Sequence, residues 1–312
     1  TAEMYAVPPT ADTYGKTEAI IGTWFAKRKN RDKVILATKI GGNGLRWIHD
    51  GGDINRASII SSVEGSLKRL QTDYIDLYWL HNWDRHTPID ETMAALHDLV
   101  RAGKVRYLGI SDTPAWKTTQ AQMIAQFRGW TPFIGLQIEY SLLERTVEGE
   151  LIPMAQELGM GVTPWSPLRS GLLSGKYTRA NAATVQPDKR TWVAGALNEE
   201  AYRVIDELQT IARELDSTPA RVAVAWVQGR PGVSSTILGA RTLQQLDDNL
   251  AAIDVKLGAD HIARLDALTR PKLNFPAEFL GMAGMIQAGG TVINGEVSQM
   301  SGFGVTRPGD HY

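Results

Sequence analysis

Short apolar runs rich in β-branched residues alternate with amphipathic stretches along most of this chain, and that alternation admits few folds. Runs at 33–39 (KVILATK), 74–81 (YIDLYWLH), 105–111 (VRYLGIS), 133–140 (FIGLQIEY), 161–166 (GVTPWS) and 234–239 (SSTILG) read as strands. Helices are expected at 17–28, 54–70, 91–101 behind Asp90, 115–127 behind Pro114, 148–158, 219–228, 243–253 and 261–268. Asp53 is placed to cap the second, where Ile54, Ala57, Ile60, Val63, Leu67 and Leu70 recur at helical spacing. Thr218 and Pro219 read as N-cap and first residue of the sixth.

Each strand–helix pair takes about 25–40 residues, close to the ~31 per unit of a (β/α) barrel. The expected fold is therefore α/β, a (β/α)8 TIM barrel over 1–270, followed by a C-terminal loop and tail at 271–312. An open doubly wound sheet, the main rival, would carry G-x-G-x-x-G after its first strand, and the sequence has none. Six strands are two short of a barrel, so the first two are expected to lie upstream of Thr1, in roughly 40 residues. The segments 178–196 and 273–312 lack periodicity and read as a long loop and a tail.

Composition narrows the chemistry. With 33 Lys+Arg against 34 Asp+Glu the net charge is -1, which gives no electrostatic ground for nucleic acid or an anionic membrane as partner. The absence of cysteine excludes disulfides, thiolate-bound zinc and a cysteine nucleophile. No apolar run approaches the ~20 residues of a membrane span. No pair of the 6 histidines has metal-ligand spacing together with a carboxylate, so no metal site is expected. No targeting peptide is visible, and a cytoplasmic location is expected.

Barrel chemistry sits at the C-terminal ends of strands, which directs attention to particular side chains. Lys39 ends the first run, either as a surface lysine or as a half-buried cation at the barrel mouth. His81 ends the second, where an imidazole either packs quietly or holds a substrate carbonyl. Tyr5 gains interest from its company: a phenol of pKa ~10 donates a proton at neutral pH only if a nearby cation stabilises its phenolate. Gly239 allows a tight turn into a helix on which Arg241, Gln245 and Asn249 share one face, either a solvated face or a phosphate site. The stretch WSPLRSGLLSGKY at 165–177 is either an ordinary Gly/Ser loop or one that wraps phosphate through backbone N–H groups.

In order along the chain, TAEMY with Tyr14-Gly15, ATK at 37–39, SLKRLQTDYIDLYWLH at 66–81, GKVRYLGISD at 103–112, LQIEYSLLER at 136–145, TPWSPLRSGLLSGKY and GARTLQQLDDN resemble the aldo-keto reductase family. SDTPAW at 111–116 is similar to its aryl-alcohol-dehydrogenase-like branch. The resemblance implies an NADPH-dependent oxidoreductase that reduces small-molecule carbonyls, aromatic ones included, by hydride transfer. It casts Tyr5 as the proton donor, Lys39 as the group lowering its pKa, and His81 as the carbonyl's partner. The family's catalytic Asp would immediately precede Thr1. Ser111, Asp112 and Gln137 would hold the carboxamide, and Tyr140 or its neighbourhood the ring face. Trp165, Ser166, Leu168, Ser170, Gly171 and Lys176 would surround the pyrophosphate. Gly239, Arg241, Gln245 and Asn249 would take the adenosine 2′-phosphate end. Trp47, Trp83 and Trp116 stand in strand-end loops, as core packing or as an apolar substrate wall. The alternative reading is a non-catalytic NADPH-binding sensor or regulatory subunit of the same fold.

Overall fold

The structure, a computed structural model, describes residues 1–6, 10–41, 54–182, 184 and 196–297. Helix α1 (Lys16–Arg28) leads to strand β1 (Ala37–Ile40), and α2 (Arg56–Leu70) leads to β2 (Ile75–Leu80). Then follow α3 (Ile89–Arg101), β3 (Val105–Ser111), α4 (Ala115–Arg128), β4 (Phe133–Glu139), α5 (Leu151–Glu157) and β5 (Gly161–Trp165). The strands form one parallel sheet in the order β1-β2-β3-β4-β5, the α/β arrangement of the barrel expected from the alternation. The register sets Lys39 beside Trp79, Leu80 beside Ile110, Ser111 beside Gln137 and Glu139 beside Trp165, so the strands' C-terminal ends fall along one rim.

Trp79 is buried on the sheet because its register partners leave room. Gly109 lies beside it and Gly135 beyond, and a Cβ on Gly109 would come within 2.3 Å of the indole. Helix α1 meets α2 just as closely: a Cβ on Gly22 would stand 2.2 Å from the Arg69 carbonyl oxygen.

Several local expectations change. Asp53 lies outside the described residues, and α2 starts two residues later than expected, with Asn55 accepting the Ser58 N–H at 2.9 Å. Pro219 does open its helix, α7 (Pro219–Gln228), behind Thr218, which accepts the Arg221 N–H. Before it stands an unexpected helix, α6 (Glu199–Glu214), capped by Asn198 and burying Val204, Ile205, Leu208 and Ile211. Its signal, a capping Asn and an apolar stripe at helical spacing, was present in the sequence.

The sixth expected strand, 234–239, forms no regular ladder. Val233 makes an isolated parallel bridge to Val162, and the N–H groups of Ser234 and Ile237 reach β5 carbonyls. The Thr236 N–H instead goes to the Gln228 side chain at 3.0 Å, which interrupts the pairing. Helices α8 (Leu243–Leu250) and α9 (Ala259–Leu268) follow. In the expected tail, α10 (Ala277–Leu280), α11 (Ala283–Ala288) and a hairpin of β6 (Val292–Ile293) and β7 (Glu296–Val297) take shape. Among the described residues no helix is long and apolar enough to cross a membrane.

Candidate active site

Residues 1–5 run beside β1. The Thr1 amine donates to Ala37 O and the Glu3 N–H to Lys39 O, while Thr17 N–H reaches back to Tyr5 O. The strap is fastened by Glu3, a fully buried carboxylate that accepts from Tyr14 Oη at 2.7 Å, Ser62 Oγ at 2.5 Å and Gly41 N at 3.2 Å. A second buried acid, Glu18 on α1, accepts from Thr38 Oγ1 and from Arg69 Nε at 2.7 Å. Sequence reasoning passed over both acids. Glu18 did leave a trace, a carboxylate on the same buried stripe as Gly22 and Phe25.

This strap sets Tyr5 over the end of β1. The Lys39 Nζ lies 5.2 Å from the Tyr5 ring centroid and donates to Thr1 O at 3.1 Å. The Tyr5 and His81 rings meet edge to face, 5.6 Å between centroids. The three residues singled out for chemistry therefore share one place.

Their titration follows from burial. Burial lowers Lys39 to about 8, with the Asp112 charge opposing it. Burial, and then the Lys39 charge, lower His81 to about 4, so its imidazole is neutral near pH 7. Tyr5 is raised above the ordinary phenol value by burial and then by Asp112. This is the reverse of the direction expected from the nearness of Lys39.

The next strand ends carry the second group. Asp112, just past β3, has left-handed backbone (φ 43°); its N–H donates to Gln137 O and its Oδ1 accepts the Trp165 indole N–H at 3.0 Å. Burial raises the Asp112 carboxyl, opposed by that indole bond. Ser111 Oγ and His81 Nδ1 are buried with no hydrogen-bond partner. Such atoms are costly to leave unsatisfied and point to a missing polar partner.

Beyond β5 opens a cleft of about 710 Å³. Ser166, Leu168, Ser170, Gly171 and Lys176 line one side, and Gly239, Arg241, Gln245 and Asn249 the other. The two stretches singled out in the sequence thus face each other. Ser166, Arg169 and Ser170 have left-handed backbone, a strained conformation for residues with side chains. The loop is bonded to itself: N–H groups of Arg169, Gly171 and Leu172 reach loop carbonyls, and that of Ser170 reaches Ser166 Oγ. These four amides are therefore engaged within the loop. The hydroxyls and Lys176 are what the loop presents there. Opposite, Thr242 caps α8 and the Gln245 side chain accepts the Arg241 N–H.

Tyr140 does not belong to the site. It is buried against Trp226 and shares its hydroxyl with Glu148, at 2.6 Å, and Arg230. Trp165, at the end of β5, is the aromatic residue that reaches across the end of β4 to Asp112. Trp47 lies outside the described residues.

The sequence profile of the Aldo/keto reductase family matches residues 7–270. The chain belongs to that family. It is 40% identical over 276 residues to the oxidoreductase YrpG of Bacillus subtilis, covering 85% of this chain and 80% of the relative. An aryl-alcohol dehydrogenase of Pestalotiopsis microspora is 36% identical, with 89% of this chain and 72% of that protein covered. Protein tas of Escherichia coli is 34% identical, with 86% and 83% covered. This aldo/keto reductase is accordingly a carbonyl-reducing oxidoreductase, of a family that uses NAD(P)H.

The residues present fit such a cofactor. The orphaned Ser111 hydroxyl offers an amide a partner, and Lys176, Arg241 and the serine hydroxyls of the cleft have the chemistry that phosphates bind.

Proposed function

We propose that this chain reduces aldehydes and ketones, aromatic ones included, to alcohols with NADPH, and that Tyr5 donates the proton. The observation carrying this reading is the meeting of Tyr5, Lys39 and His81 at one strand-end rim, with the cleft that holds Lys176 and Arg241 opening beyond the end of β5.

When bound, the cofactor supplies the hydride that reaches the carbonyl carbon. The protein's residues do the rest. His81, neutral at working pH, donates a hydrogen bond to the carbonyl oxygen without adding charge to a buried site. Tyr5, protonated because its pKa is raised, hands its phenolic proton to that oxygen as negative charge develops. Lys39, charged below about pH 8, stabilises the phenolate that remains. Asp112 holds Trp165 through the indole N–H and, with Gln137 and Ser111, offers polar atoms to the carboxamide. Arg241 at the entrance to α8 favours a 2′-phosphate, and so NADPH over NADH.

The test is incubation with NADPH and 4-nitrobenzaldehyde while absorbance at the reduced-nicotinamide band is followed. Turnover that is faster with NADPH than with NADH, and a KM for NADPH raised about tenfold in Arg241→Ala, are expected. Cofactor binding without turnover of any aldehyde would favour the sensor reading instead.

A further inference from the structure

Two tryptophans stand above the rim, and two cations sit on them. His81 and Ser111 leave the neighbouring strands β2 and β3 side by side, because Leu80 lies beside Ile110. Trp83 follows His81 by two residues, and Trp116 stands in the first turn of α4, just past β3. Their rings meet edge to face with 5.4 Å between centroids, so the pair bridges the two loops over the catalytic end of the sheet. Trp116 is 59% exposed, an unusual fraction for the largest apolar side chain.

The Lys117 Nζ lies 4.9 Å from the Trp116 centroid and 5.7 Å from that of Trp83. The Arg85 guanidinium carbon lies 5.2 Å from the Trp83 centroid. All three distances suit cation–π contact, which restrains long side chains that would otherwise sweep through solvent. Among the described residues neither cation forms an ion pair. Among the described residues the hydrogen-bond partner of Lys117 is the neutral Gln120 amide oxygen, at 2.8 Å. The nearest acid in sequence, Asp84, is engaged by the N–H groups of Ile54 and His86, each at 2.8 Å. Two restrained positive charges thus stand beside flat apolar surface, and among the described residues no carboxylate is in contact with either.

We propose that Trp83, Trp116, Lys117 and Arg85 form a substrate-recognition rim that selects aromatic aldehydes carrying a carboxylate on the ring. The ring lies against indole surface while the carboxylate meets Lys117 and Arg85, and the aldehyde is directed down to Tyr5 and His81. This proposal rests on the reductase reading above and adds the substrate's charge to it.

The experiment compares kcat/KM for 4-carboxybenzaldehyde with that for methyl 4-formylbenzoate, the same ring and aldehyde with the charge masked. The wild-type chain is expected to favour the carboxylate about five- to tenfold, the size of one or two partly exposed charge pairs. The preference should shrink in 0.5 M salt, where screening reaches within about 4–5 Å. In the double variant Lys117→Met, Arg85→Met the ratio should fall to about one, the loss entering through KM for the carboxylate. A ratio that survives both changes overturns the rim. If neither aldehyde is reduced, the reductase reading fails, and benzoate quenching of tryptophan fluorescence decides the rim alone. Saturable quenching by benzoate, stronger than by methyl benzoate and lost in the double variant, supports it. Equal quenching in both proteins overturns it.

Discussion

At the N-terminal ends of the strands, Arg31 and Arg106 sandwich the Tyr74 ring at 3.9 and 4.0 Å, and both donate to Asp76 at 2.8 Å. Asp76 also accepts the Leu36 N–H, and Arg31 spends its remaining donors on Val34 O, Tyr74 O and Thr72 Oγ1. At the C-terminal ends, His81 Nδ1 and Ser111 Oγ are buried without a partner, and Lys39 and His81 are both held off their ordinary pKa values. The Arg31–Asp76–Arg106 network finds its partners within the protein, whereas the ends of β2 and β3 each keep a buried polar atom without one. A (β/α) architecture teaches the same division: the bottom holds the fold and the top works on ligands.

The sharpest way to break this comparison is to exchange the consequences of two substitutions. Tyr5→Phe is expected to lower kcat for carbonyl reduction by about 10²–10⁴-fold with the melting temperature kept, as loss of a general acid requires. Steady-state rates and calorimetry on the same sample decide this. Asp76→Ala should do the opposite, costing about 2–3 kcal/mol of stability by depriving the largely buried Arg31 and the Leu36 N–H of their acceptor, while the more exposed Arg106 turns to water. Its kcat per folded molecule should match the wild type, as urea unfolding and rates together would reveal. Although burial pushes Asp76 up, its hydrogen bonds and arginines hold it below the ordinary carboxyl value. Its stabilisation is therefore present above the unfolded pKa near ~4 and is lost as pH falls through the folded value.

The pH profile of the reaction sharpens the contrast further. Lys39 loses its charge as pH rises through about 8, so reduction should decline above that point, approaching about tenfold per pH unit. His81 gains its charge only near pH 4, so no acid limb from it should appear above about pH 5. A profile flat to pH 9.5 would remove Lys39 from the chemistry. The smallest effect belongs to Trp165→Phe, which keeps a ring but loses the bond to Asp112. About 1 kcal/mol, or roughly a fivefold rise in KM for the cofactor, is expected from cofactor titrations.

Much of this was legible in the chain. The β1–β5 strands announce themselves through β-branched runs, and Lys39, His81, Ser111 and Trp165 fall at strand ends that any parallel sheet would align. What stayed hidden depends on contacts between distant segments. Tyr140 sits one residue past β4, where a strand-end argument would seat it in the site, yet its hydroxyl goes to Glu148 and Arg230. The 234–239 run has strand composition, but Gln228 takes one of its amides. Glu3 carries no local signal at all, since it accepts from residues as distant as 14, 41 and 62.

The central claim is that the open end of the sheet delivers a nicotinamide hydride to a carbonyl carbon. Reduction of 4-nitrobenzaldehyde with NADPH deuterated at the transferable C4 position, followed by mass spectrometry of the alcohol, tests it most directly. The account predicts one deuterium on the carbinol carbon for each cofactor oxidised, in the wild type, with the rate collapsing in Tyr5→Phe. Cofactor bound at the cleft with no deuterated alcohol formed would contradict it.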